Sequence, residues 1–277
     1  MRIPFIAGTV LLTLFWFVSA AFFGFIGSFA NEYVASIIIQ IGIWLIPGLV
    51  YAYFFYDNSL NDLNVKNFGK RSDYGLFILL YIVSFPFLAY LIKINEAMIF
   101  PESMATLEQM FREMEDKAKE ITLRMLSGTS LMDLMSALFA MAVLPAICEE
   151  VFFRGVVLNN LMKRTSRLHL SVWLSAILFS FVHFQFFGFL PRVVLGAFLG
   201  YAFVLSKSLW LPIVLHFLNN AMAIIAYYFY QKQWISEDPQ AWETETITLW
   251  MAVLSLTASV CSLWFIFRRN KVRSNSE

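Results

Sequence analysis

A chain of 277 residues that is 60% hydrophobic, 18% aromatic and only 14% charged carries far less charge than a soluble domain, in which about a quarter of the residues are charged. Its formal net charge of +1 supplies no basic field for a nucleic-acid partner. The two cysteines, Cys148 and Cys261, both fall in apolar segments and exclude a disulfide-stapled secreted scaffold. An integral membrane protein is the class that remains.

The apolar runs are Ile3–Ile26, Tyr33–Phe55, Tyr74–Ile94, Leu131–Met162, Leu170–Phe189, Arg192–Leu205, Leu209–Tyr230 and Thr246–Phe267. About 20 helical residues cross a hydrocarbon core of roughly 30 Å, so these predict an all-α polytopic bundle of about eight transmembrane helices. The runs are continuous rather than alternating, which favours helices over a barrel. Residues 1–277 read as a single integral membrane domain. The first run follows Arg2, with Val18-Ser19-Ala20 resembling a signal-cleavage site. It is longer than the apolar part of a signal peptide, and a retained first helix is expected. The sixth run is short for a crossing and the fourth is long; short, tilted or partly re-entrant versions of either remain compatible.

An even number of spans puts both termini on one side. The tail Arg268, Arg269, Lys271 and Arg273 marks that side as cytoplasmic, together with Arg2, Lys66, Lys70, Arg71, Lys163, Arg164, Arg167 and Lys207. The location expected is a bacterial inner membrane with both termini inside. Opposite lies the acidic segment Gln231–Glu245, with Glu237, Asp238, Glu243 and Glu245 against Lys232. The segment Lys93–Arg124 is discordant, with five basic residues against seven acidic ones. Within it Met104, Leu107, Phe111, Met114, Ala118, Ile121 and Met125 recur at steps of three and four, one apolar stripe on a helix. Such a helix packs over the bundle or lies on the membrane surface, and a gating role over a substrate is a second reading.

Chemistry is concentrated in a few polar groups inside apolar runs, where a charged side chain marks function by default. Glu149 and Glu150 are adjacent within the fourth run. Glu150 is four residues from Arg154 and shares its helical face, while Glu149 points about 100° away. Glu150 is therefore expected to pair with Arg154, leaving Glu149 free to face a cavity. His183 and His216 also lie in apolar runs, with Asn220 one turn after His216, whereas His169 falls in a basic loop and reads as interfacial. Polar groups in a bilayer seek one another, so one hydrated centre is expected.

A carboxylate beside an imidazole can hold a water and take its proton, which fits Glu149 with His183. A second imidazole with an amide can donate to an oxyanion, which fits His216 with Asn220. Cys148 has no base of its own and reads as packing. Glu149, His183 and His216 also have the ligand types of a catalytic zinc site, although the contiguous His-Glu-x-x-His spacing is absent.

Three motifs stand in order on separate apolar segments: Glu149-Glu150-Val151-Phe152-Phe153-Arg154, Phe179-Ser180-Phe181-Val182-His183 and His216-Phe217-Leu218-Asn219-Asn220. In this the chain resembles the CPBP intramembrane proteases, the CAAX-protease, bacteriocin-processing or Abi group, over about residues 131–230. The resemblance implies an eight-helix bundle with a catalytic cavity open toward the cytoplasm. It also implies a peptide or membrane-protein substrate met within the lipid bilayer. Glu149 and His183 would activate water, His216 and Asn220 would stabilise the oxyanion, and Glu150 and Arg154 would support the site. No cofactor is expected to be required; zinc on Glu149, His183 and His216 is the alternative. A bacteriocin-immunity or scaffolding protein without turnover is the runner-up function, and a proton-coupled transporter is the third. Nothing in the sequence identifies a prenyl pocket or an oligomeric state.

Overall fold

The computed structural model describes residues 5–239 and 247–274; the expectations for Arg2, Glu243 and Glu245 lie outside the described residues. The helices are, in chain order, α1 (Phe5–Gly27), α2 (Glu32–Phe55), α3 (Arg71–Glu96), α4 (Ala105–Met125), α5 (Leu131–Thr165), α6 (Leu168–Phe181), α7 (Phe189–Ser206), α8 (Trp210–Gln231) and α9 (Leu249–Ser274). Among the described residues there is no strand. Seven of these helices are long and apolar enough to cross a membrane, while α4 is too polar and α6 too short. The chain is an all-α, multi-pass membrane protein.

The fifth run departs from its expected limits. The apolar run Leu170–Phe189 does not stay helical: α6 has 14 residues, about 21 Å at a rise of 1.5 Å, and ends at Phe181. Phe184 takes a left-handed φ of 53°, which breaks the helix, and a short turn over Phe186–Gly188 leads into α7. α7 is therefore longer than the run Arg192–Leu205 suggested, and α6 is the short member. Hydropathy could not show this break because aromatic residues continue through it. The one local signal is Pro191, which sits in the first turn of α7, where a missing N–H removes no helical hydrogen bond.

α6 and α7 form a hairpin through small residues. A Cβ added at Gly196 would meet Ala176 Cα, Ala176 Cβ and Phe179 Cδ1, each at 3.2 Å, and one at Gly200 would meet Val172 Cγ1 at 3.0 Å. In lipid, close packing of this kind replaces the hydrophobic effect as the force between helices.

Contacts between connections sort the bundle into two ends. At one end Asn67 Nδ2 donates to Lys207 O, Trp210 Nε1 donates to Val65 O, the Phe68 and Trp210 rings stack, and Arg269 pairs with buried Asp73. Lys66, Lys70, Arg71, Lys163, Arg164, Arg167 and Lys207 all belong to the connections of this end. His169 is exposed here, and its Nδ1 lies 2.8 Å from the Tyr201 hydroxyl. At the other end Arg124 pairs with Glu32, and Tyr33 Oη donates to Met125 O.

The amphipathic helix α4 packs across this second end, as its stripe predicted, but rotated. Its inner face is Leu107, Phe111, Glu115, Ala118 and Met125, while Met104, Met114 and Ile121 are exposed. Phe111 stacks on Phe186, and Arg112 lies 4.2 Å over the Phe187 ring. Burial raises the pKa of the inward-facing Glu115 carboxyl, opposed by Arg192 of α7. Beneath α4, a cavity of about 460 Å³ opens between α3, α7 and α8, bordered by Glu115, Arg192 and Asn219.

Gly196→Val should destabilise the hairpin by about 1–3 kcal/mol through overpacking. The check is a thermal unfolding series in detergent, with the exposed substitution Trp173→Val, which removes bulk instead of adding it, as the control.

Candidate active site

Two prolines shape the helices that carry this site. Pro145 and Pro47 cannot donate to the carbonyl four residues back, and their rings crowd it. In each case the preceding turn is widened into a π-helical segment, Phe139–Val143 before Pro145 and Gln40–Leu45 before Pro47. A third such segment, Val151–Leu158, follows Glu150. Its loosened Gly155 carbonyl accepts from Tyr56 Oη at 2.8 Å and from Asn159 Nδ2 at 2.9 Å. Single wide turns of this type recur at functional positions because they redirect side chains within a continuous helix.

Glu150 is fully buried, and its Oε1 accepts from Arg154 Nη1 at 2.8 Å and from His216 Nδ1 at 2.9 Å. Arg154, 1% exposed, also donates through Nη2 to Gly196 O at 3.0 Å and lies 4.8 Å over the Phe179 ring. The pairing expected one turn apart is present. Its second partner, His216, comes from another helix and ties α5 to α8.

Glu149 turns the other way. Its Oε1 accepts from Gln40 Nε2 of α2 at 3.0 Å, and its Oε2 lies 3.9 Å from His183 Nε2 and 4.0 Å from His216 Nε2. His183 is not inside a helix, as its apolar surroundings suggested, but in the turn after α6. Its Nδ1 lies 2.7 Å from Phe179 O. A carbonyl can only accept, so Nδ1 carries the proton and Nε2 presents a lone pair toward Glu149. By the same reasoning His216 gives its Nδ1 proton to the carboxylate of Glu150. The side chain of His183 is 26% exposed against 6% for Glu149 and 5% for His216, so the centre is reached from the His183 side.

Asn220 lies one turn beyond His216. Its Nδ2 donates to Met141 O at 3.1 Å, and its Oδ1 accepts from Asn219 Nδ2 at 3.0 Å. Met141 is the residue four before Pro145, whose missing N–H leaves this carbonyl short of a partner. The proline in α5 thus prepares the anchor for an amide on α8. One Nδ2 hydrogen of Asn220 is used there, and the other makes no hydrogen bond among the described residues.

Two contributors, Gln40 and Asn95, were not singled out from the sequence as part of the centre. Gln40 reaches Glu149 directly; its only signal is that it is an amide inside an apolar span. Asn95, fully buried at the end of α3, donates to Phe186 O at 3.0 Å and accepts from Leu190 N at 2.7 Å, clamping both sides of the turn that follows His183. Phe179, expected to pack on His183, does so at 5.0 Å between ring centroids, and also meets His216 at 5.9 Å and Phe153 at 5.1 Å. Cys148 is buried in the apolar cluster around Trp44 and Phe152. Among the described residues no group of three or more His, Cys, Asp or Glu side chains is placed to hold a metal ion.

The carboxylates, the arginine, both histidines and Asn220 all fall within one stretch of sequence that matches a protein-family model. Residues 132–222 match the Rce1-like family, type II CAAX prenyl endopeptidase Rce1-like. The Rce1-like match agrees with the resemblance carried by the three motifs, and it runs from α5 into α8, leaving α1, α2, α3, α4 and α9 outside. No curated protein and no solved structure matches the chain.

Removing one partner of the Glu150–Arg154 pair strands a buried charge. Arg154→Leu should lower stability by about 3–5 kcal/mol, and Glu150→Gln combined with Arg154→Leu should recover part of that loss. Detergent-phase unfolding of the single and double variants measures both.

Proposed function

We propose that this protein is an intramembrane endopeptidase of the CAAX prenyl protease-like type, which hydrolyses a peptide bond of a peptide or membrane-protein substrate. The observation that carries the reading is the convergence of Glu149 Oε2 on two imidazole Nε2 atoms at 3.9 and 4.0 Å. A water hydrogen-bonded at about 2.8 Å to Glu149 and to either histidine would subtend an angle of about 90°. A zinc ion at about 2.1 Å from the same two atoms would need about 136–144°, well wider than tetrahedral. The spacing suits a water better than a metal, and the mechanism proposed needs no cofactor.

In this mechanism the water donates to Glu149 Oε2 and to His183 Nε2. Glu149 takes its proton as the oxygen attacks the scissile carbonyl, and returns the proton to the leaving amine. The oxyanion receives the unused N–H of Asn220 and an N–H from His216 Nε2. The second donation requires His216 as imidazolium, because its Nδ1 proton is already given to Glu150. Glu150 and Arg154 act behind His216: the carboxylate orients the ring by accepting from Nδ1, and the arginine holds the carboxylate in place.

The basic end of the bundle is assigned to the cytoplasm by the excess of Lys and Arg in its connections, and a bacterial inner membrane is the setting proposed. Single cysteines introduced at Lys207 and Trp234, in a chain with Cys148 and Cys261 replaced by alanine, test this orientation. An impermeant maleimide added to right-side-out vesicles should label position 234 and spare position 207.

Purified protein offered membrane-tethered peptides should cleave at least one of them. Glu149→Gln should reduce turnover by about 10²–10⁴-fold, the span of a lost general base, and His183→Ala should reduce it as well. Cleavage should persist in the presence of a strong zinc chelator. Full activity of Glu149→Gln refutes the mechanism, and loss of activity to the chelator with recovery on adding zinc refutes the metal-free form of it.

A further inference from the structure

We infer that Gln40 is the positioning residue of Glu149, fixing one carboxylate oxygen so that the other is the one presented to the two histidines. The inference rests on the hydrolase reading of this centre and concerns a residue on α2, outside the segment that matches the family. A carboxylate on a rotatable side chain can exchange its two oxygens. Here the N–H of Gln40 occupies Oε1 at 3.0 Å, and Oε2 alone faces His183 and His216.

Three observations support a dedicated role. The amide oxygen of Gln40 is buried and has no hydrogen-bond partner among the described residues, so Glu149 is the group that sets the orientation of this amide. A buried amide oxygen without a donor is unfavourable, so the bond from its Nε2 to Glu149 is what this amide gains in that orientation. Next, α2 is held in register on α5 independently of Gln40. One turn earlier Ser36 Oγ donates to Ala140 O at 3.0 Å, and one side of Gly48 lies against Phe152, where an added Cβ would stand 3.5 Å from Cα. Finally, Gln40 opens the π-helical segment that Pro47 imposes on α2, a wide turn that aims this side chain across to α5.

The choice of an amide is chemically specific. An arginine or lysine at this position would neutralise Glu149 and make it a poor proton acceptor, while an apolar residue would leave Oε1 without a donor. A neutral N–H orients the carboxylate and leaves it basic.

The test uses the full chain in detergent. Infrared spectra of the native protein and of Glu149→Gln identify the Glu149 carboxylate stretch by its disappearance. That band should shift in Gln40→Met, which keeps the length of the side chain, and also in Gln40→Asn, whose amide falls one methylene short. On a cleaved membrane-tethered peptide, Gln40→Met should lower kcat about ten- to hundredfold, as for a lost hydrogen bond to a charged group, with KM within about twofold. An unchanged carboxylate band in both variants, or a loss expressed only in KM, overturns the inference. If the native protein cleaves no peptide, the hydrolase reading fails instead, and the infrared comparison alone decides the role of Gln40.

Discussion

The structure depends on pairing a carboxyl group deep inside an apolar bundle. Glu150 has no access to water, and a carboxyl group in that position is tolerated only when donors pair with it. Arg154 and His216 supply two of them from α5 and α8, while Arg154 extends to the backbone of α7 through Gly196 O. Three helices are therefore held at one point by charge-assisted bonds, which are stronger and shorter than neutral ones. The aromatic ring of Phe179 shields this point, with the guanidinium on one side and both imidazoles around it.

Once Glu150 is fixed, its neighbour is free for other chemistry. Adjacent residues on a helix point about 100° apart, and this offset gives Glu149 a separate environment a few ångströms away. The environment is built from four elements: Gln40 on α2, Glu149 on α5, His183 after α6 and His216 on α8. Prolines contribute indirectly. Pro47 and Pro145 each displace a helical hydrogen bond, and the wide turns that result expose backbone or aim side chains exactly where the helices meet, with Met141 O as the anchor for Asn220.

The hairpin of α6 and α7 places the histidine of the second motif. Because α6 ends after 14 residues, the turn that follows it brings His183 Nε2 to 3.9 Å from Glu149 Oε2. Backbone groups buried at such a turn must be satisfied from protein. Asn95 and Ser180 do this, the latter donating to Phe189 O at 2.8 Å, and α4 covers the outer side with Phe111 and Arg112. The polar helix that looked discordant in the loop charges is thus part of the packing around the turn.

The sequence by itself determined the helical membrane class, the course of the long spans other than α7, the Glu150–Arg154 pairing and the approach of His183 and His216 to Glu149. These follow from short-range rules: a spanning helix must close its own hydrogen bonds, residues four apart share a face, and isolated polar groups in lipid are too unfavourable to stay apart. Only the tertiary structure decided the end of α6 at Phe181, the rotation of α4 that turns Glu115 inward, the bond from Glu150 to His216 and the contact of Gln40 with Glu149. Each of these depends on which helix lies beside which, and at what height. Hydropathy carries no such information, since an aromatic turn buried by neighbouring helices and an aromatic helix facing lipid have the same composition.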